Sequence, residues 1–202
     1  MLIFWQSHLV FLATPKAGST AIEAALEPLS NLAVQRPPEL KHTNLKSYKK
    51  FVAPWLSSMT NRSFTTVAVM REPVEWMRSW YRFHIRDDVE EFGHDLPGVT
   101  FAEFALDYMN PDRRLVSQIG SQSDFLTYDN DAVDHIFRYE EMEAFTEFME
   151  ERLDCVLHLP RVNVPPSADV ELDPEVEQRL RHFMAADAHL YDRLERSAPE
   201  RG

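Results

Sequence analysis

Blocks of apolar and polar positions succeed one another along this chain and set out a strand–helix series. Leu9-Val10-Phe11-Leu12-Ala13 is an unbroken apolar run, the pattern of a strand covered on both faces of a sheet. It ends in Pro15-Lys16-Ala17-Gly18-Ser19-Thr20 and passes into spacing that predicts a helix over residues 18–29. A loop rich in Pro and polar residues follows up to Leu40, and residues 45–59 read as partly helical, with Pro54 interrupting. Residues 64–70 form a second β-rich run. Behind it, residues 73–84 predict a helix opened by Pro73, whose missing N–H costs nothing in a first turn. Helical spacing returns over residues 101–108 and 112–119, and residues 133–139 predict a third strand. Residues 141–153 predict an amphipathic helix with Phe145, Phe148 and Met149 on one face, and residues 155–159 a short fourth strand. A final helix is predicted over residues 174–194, with Asp173 as its N-cap. Strands alternating with helices predict an α/β fold, a central parallel sheet flanked by helices on both faces. The 202 residues suit one domain, residues 1–202.

Composition narrows the class. The formal net charge of −12 argues against nucleic acid or an anionic membrane as the main partner, because phosphate neutralisation wants clustered Lys and Arg. An anionic ligand would need a locally positive cleft built from Lys16, Lys41, Arg71 and Arg78. Cys155 is the only cysteine, so no intramolecular disulfide can form, and its apolar surroundings suggest a buried strand residue. The apolar stretch at residues 1–13 is short, lacks a basic flank and runs directly into the Lys16 turn. No membrane span is expected, and a cytoplasmic protein is the simplest reading.

The chemistry gathers at two places. Gly18 lets backbone approach a ligand, and Ser19 and Thr20 offer hydroxyls and amides at a helix start, where the dipole favours an anion. Lys16 adds a full positive charge on the lip of that turn. An ATP or GTP P-loop carries its Lys after the last Gly, whereas Lys16 precedes Gly18. The plain alternative is a strand-to-helix connection that happens to contain Lys and Gly. The second place is Arg71 at the carboxyl end of the second strand, with Ser79 on the following helix. In open α/β sheets the ligand crevice lies outside the carboxyl ends of strands. Arg71 would therefore face the same crevice as Lys16, offering a guanidinium fork to a second phosphate-like group.

The Pro15–Thr20 motif together with Arg71, Pro73, Ser79 and Phe83 resembles the sulfotransferases that use 3′-phosphoadenosine 5′-phosphosulfate (PAPS), and most closely their carbohydrate-type branch and its soluble bacterial relatives. Lys41-His42-Thr43, Phe137-Arg138-Tyr139-Glu140, Leu159-Pro160-Arg161-Val162-Asn163 and the segment Asp187 to Leu194 are weaker echoes. Many relatives carry a basic residue where this chain has Trp76. The resemblance implies a P-loop-like three-layer fold and transfer of a sulfuryl group from PAPS to an acceptor hydroxyl, a carbohydrate being one such acceptor. It implies that Lys16 stabilises the leaving phosphate, that Ala17, Gly18, Ser19 and Thr20 hold the 5′-phosphosulfate, and that Arg71 and Ser79 hold the 3′-phosphate. No metal is implied. A P-loop kinase-like phosphotransferase and a non-catalytic nucleotide-binding protein are the competing readings.

The general base stays open among His42, His84 and Glu23. An imidazole is suited to deprotonating an acceptor near neutral pH, and His42, next to Lys41, leads. The acidic stretch Asp87 to Asp95 matches no Ca²⁺ or zinc spacing and reads as a solvated loop, within residues 86–100, that selects the acceptor. Trp76, Trp80, Tyr81 and Phe83 form an aromatic stripe at helical spacing that reads as core, with one ring free to stack on adenine. Arg138 and Glu140 suggest an ion pair under the cleft, and Arg161 and Asn163 a further contact to the nucleotide.

Overall fold

A computed structural model describes residues 1–85, 98–112, 119–160 and 168–195. Residues 86–97 of the expected acceptor loop (residues 86–100), most of the helix expected at 112–119, and Arg161 and Asn163 lie outside them.

Leu2–Phe4 (β1) and Leu9–Leu12 (β2) pair antiparallel, with Leu2 opposite Phe11 and Phe4 opposite Leu9. Strand β1 was not anticipated, and it changes the sheet. Only Trp5, Gln6, Ser7 and His8 separate the two apolar runs, too few for a parallel crossover but enough for a hairpin, which His8 helps close at φ 48°. Leu32–Ala33 (β3) adds antiparallel to the other edge of β1. Thr65–Met70 (β4) pairs parallel with β2. Thr127–Tyr128 (β5) and Asp131–Ala132 (β6) make a separate small hairpin, and His135–Arg138 (β7) pairs parallel with β4. The main sheet runs β3-β1-β2-β4-β7. The expected all-parallel sheet is therefore corrected to a mixed one, parallel where β2, β4 and β7 meet.

The helices are Ser19–Leu26 (α1), Pro38–Lys41 (α2), Leu45–Ser47 (α3), Ala53–Thr60 (α4), Pro73–His84 (α5), Phe101–Tyr108 (α6), Gln122–Leu126 (α7), Met142–Leu153 (α8), Pro174–Phe183 (α9) and Ala185–Glu195 (α10). Period-two alternation sends strand side chains to opposite faces. Ile3, Val10, Leu12, Ala68 and Met70 pack with Leu45, Tyr48, Leu56, Leu126 and Tyr191, so α3, α4, α7 and α10 cover one face. Phe11, Val67 and Val69 pack with Ile22, Leu26, Phe145 and Met149, so α1 and α8 cover the other. A third core joins α5, α6 and α9 through Trp76, Met77, Tyr81, Phe101, Phe104 and Leu180.

Two further expectations are corrected. Residues 155–159 form no strand. Asp154, at φ 51°, ends α8, and the chain folds back so that the Leu157 amide donates to Glu150 Oε1 at 2.7 Å. Cys155 is accordingly half-buried rather than a strand residue of the core. The final helix is broken at Met184. The break lets Leu180 and Met184 enter the core beside α5 while Tyr191 reaches the core under the sheet. One straight helix would not present its apolar residues to both.

Candidate functional site

The turn after β2 is built from two left-handed residues, Lys16 at φ 58° and Gly18 at φ 77°, the latter being the N-cap of α1. Gly18 is required on two counts. Left-handed backbone suits a residue without Cβ, and a Cβ here would lie 2.8 Å from Tyr139 Cε2. The first amides of α1 have no partner within their own helix and end the turn as a row of donors. Ala17 and Ser19 are buried in the turn, while Thr20 is exposed.

Helix α5 holds this turn in place. It starts where Pro73 follows Glu72, whose carboxylate accepts from the Glu75 amide at 2.8 Å. One turn on, the buried Trp76 donates its indole N–H to the Pro15 carbonyl at 2.8 Å. That contact gives a structural role to the position where the resemblance leads one to expect a cation. A further two turns along, Phe83 receives the Lys16 ammonium on its face at 3.7 Å, and Trp80 lies 5.5 Å from it. Positions 76, 79, 80 and 83 share one helical face. Ser79 therefore sits, half-buried, on the face of α5 that looks at the turn.

Arg71 stands at the carboxyl end of β4. Its guanidinium lies 4.6 Å from the centre of the Tyr139 ring and its Nη2 is 3.6 Å from Glu75. Tyr139 follows β7 and touches both Gly18 and Arg71, so one ring bridges the two motifs. The Arg71 backbone is clamped in both directions. Its amide donates to Gln122 Oε1 at 2.9 Å, and its carbonyl accepts from Gln122 Nε2 at 2.8 Å. Gln122 is fully buried, and its own amide and that of Ser123 donate to the buried Asp187 carboxylate at 3.2 and 2.8 Å. Burial pushes the Asp187 carboxyl up from its ordinary value.

His42 caps α2, and its Nδ1 lies 2.6 Å from the Ala13 carbonyl at the end of β2. A carbonyl only accepts, so Nδ1 carries the proton and Nε2 keeps the lone pair. Burial holds the imidazole below its ordinary pKa, so it is neutral at pH 7. His84, at the end of α5, stacks on Trp80 with centroids 5.8 Å apart and borders Phe83 and Phe104. Glu23 is no open carboxylate. It is buried and bound to Lys41 Nζ at 2.8 Å, with the Met1 ammonium at 3.6 Å.

The expected positive cleft is smaller than four cations. Lys41 is engaged by Glu23, and Arg78 is bound to Glu75, Glu177 and the Val170 carbonyl, tying α5 to α9. Lys16 lies in the turn itself, and Arg71, 3.6 Å from Glu75, is brought beside it by Tyr139. The expected pairing of Arg138 with Glu140 gives way to another arrangement. Arg138 approaches Glu141 at 3.5 Å, donates to the Tyr191 carbonyl and covers that ring, while Glu140 accepts from Tyr191 Oη at 2.7 Å. Tyr139, Gln122 and Asp187 escaped assignment from sequence. Tyr139 lay within a noted motif, but a single Gln carries no periodic or spacing signal.

Three buried polar atoms at this junction have no hydrogen-bond partner among the described residues: Thr14 Oγ1 before the turn, Arg71 Nε and Trp80 Nε1. Each such group costs about 1–3 kcal/mol unless something satisfies it. Arg71 Nε and Trp80 Nε1 are donors, the chemistry an anion would complete. No protein-family model, curated protein or solved structure matches the chain.

Proposed function

We propose that this junction binds a nucleotide with two separated phosphate-like groups, and that the protein is a PAPS-dependent sulfotransferase on a P-loop-like fold. The observation that carries the reading is the Tyr139 ring, which brings the Gly18 turn and Arg71 against one surface. The donor supplies an activated sulfuryl group. The amides at Ala17, Gly18, Ser19 and Thr20 hold its 5′ end, and Lys16 offsets charge on the phosphate oxygen that leaves. Arg71 and Ser79 hold the 3′-phosphate. His42 Nε2 takes the proton as the acceptor hydroxyl oxygen bonds to sulfur. Positioning and charge stabilisation then supply most of the rate.

Calorimetry with adenosine 3′,5′-bisphosphate (PAP), ATP and GTP, each with and without Mg²⁺, tests the binding half. Metal-independent preference for PAP is expected; Mg²⁺-dependent preference for ATP sinks the reading in favour of a phosphotransferase. Transfer of label from ³⁵S-PAPS to a panel of hydroxyl acceptors tests catalysis, and binding without transfer leaves a nucleotide-binding protein.

A further inference from the structure

The chain's charge is segregated. Between Glu39 and Glu72 there is no acidic residue, while Lys41, Lys46, Lys49, Lys50, Arg62 and Arg71 all fall there, within a chain of net charge −12. The same stretch displays three of the exposed large apolar side chains of the described residues, Phe51, Trp55 and Met59, in one helical segment. Pro54 has no amide to give the carbonyl four residues back, and the preceding turn, Tyr48–Val52, widens into a π-helical one before α4. Tyr48, Val52 and Leu56 point into the core. Phe51, Trp55 and Met59, spaced four apart, are 74, 47 and 62% exposed. They form an apolar ridge on the outer side of the helix, and Lys46 and Lys50 are exposed along its flank. Lys49 is held by Asp131 and the Lys50 ammonium lies 5.6 Å from the centre of the Tyr128 ring, while Lys46, Lys50 and Arg62 are the exposed cations of this face.

We propose that this face is a docking surface for an anionic lipid bilayer. A convex ridge of Phe, Trp and Met with lysines beside it has the make-up of an interfacial helix: the rings and thioether enter the headgroup boundary while the ammonium groups meet lipid phosphates. The opposing net charge of the body acts weakly, because charges beyond about 8 Å are screened at physiological ionic strength. An acidic protein would be drawn by the same cations, but a protein needs a groove shaped to the ridge, whereas a bilayer needs none.

The test is co-sedimentation of the full chain with phosphatidylcholine vesicles, with and without phosphatidylglycerol, at low and high salt. Binding only to the anionic vesicles, weakened by salt, is expected. Phe51→Ser with Trp55→Ser should abolish it. Lys46→Glu with Lys50→Glu should lower the partition coefficient at least about tenfold. All four positions are exposed, and unchanged circular dichroism and melting confirm that the variants fold. Equal binding to neutral and anionic vesicles, no binding, or wild-type binding by Phe51→Ser/Trp55→Ser overturns the proposal. So does binding of a polyglutamate peptide, or self-association lost in the Phe51→Ser/Trp55→Ser variant, without vesicle binding.

Discussion

Gly18 is the residue with least latitude at the site. Gly18→Ala places a Cβ 2.8 Å from Tyr139 Cε2 in left-handed backbone, which costs roughly 1–2 kcal/mol before the ring is displaced. Denaturant unfolding should show that loss, and a variant as stable as wild type would mean that Tyr139 yields freely. Lys16→Ala should keep the fold and lose about a hundred- to a thousandfold in transfer rate. An effect of only a few-fold would remove Lys16 from the reacting centre. His42 makes a pH prediction with a definite sign. Its folded pKa lies below the ordinary 6.5 because burial penalises the imidazolium. The unfolded chain therefore binds the proton more readily, and the contribution to stability is present above pH 6.5 and lost as pH falls below it. In the rate profile, activity should rise through a single ionisation lying below the ordinary 6.5. His42→Ala should erase that limb while leaving PAP affinity unchanged; if His84→Ala erases it instead, the base is His84.

At the scale of elements, the site depends on how β4, α7 and α10 meet. Arg71→Ala should weaken PAP far more than adenosine 5′-phosphosulfate, which lacks the 3′-phosphate, by roughly 1.5–3 kcal/mol. Equal loss for both nucleotides would put Arg71 at the 5′ end. Gln122 grips the Arg71 backbone from both sides and hangs from Asp187, so it holds the Arg71 backbone in place. Gln122→Ala should lower the same PAP-over-phosphosulfate preference. A drop in melting temperature with the preference intact would show that Gln122 serves the fold alone. The break between α9 and α10 is what lets Asp187 reach α7 while Leu180 stays beside α5.

Across the whole molecule, the site lies where the parallel strands β2, β4 and β7 end, beside α1 and α5. A nucleotide spanning Gly18 and Arg71 would tie β2, β4, α1 and α5 together. PAP at about a hundred times its dissociation constant should add about 2.7 kcal/mol of stability. For a chain of this size that raises the melting temperature by roughly 5–10 °C. A thermal scan with PAP and Arg71→Ala run beside wild type reads this directly, and an unshifted wild-type midpoint would leave the junction without this ligand. Among the described residues no helix is long and apolar enough to cross a membrane.

Local chemistry was enough to predict β2, β4 and β7, the helices α1, α5 and α8, and the places of Lys16, Gly18 and Arg71. Each of these is announced by apolar periodicity, by a proline at a helix start, or by a glycine where backbone must turn. The hairpin that makes the sheet mixed was harder, because Leu2–Phe4 is only three residues long and its pairing is decided by the neighbour it finds. Trp76 reads as core from its spacing and is buried there, but its hydrogen bond was not legible, because only docking of α5 on the turn brings its indole to the Pro15 carbonyl. Tyr139, Gln122 and Asp187 belong to the same class. They act through partners 51 to 121 positions away in the chain, and contacts of that span leave no trace in local spacing. Sequence by itself determined the principal strand–helix units and which residues carry charge and conformational freedom. Tertiary structure alone decided which of those charges are already paired, as Lys41 and Arg78 are, and which two motifs share a surface, because pairing and proximity are properties of packing across elements.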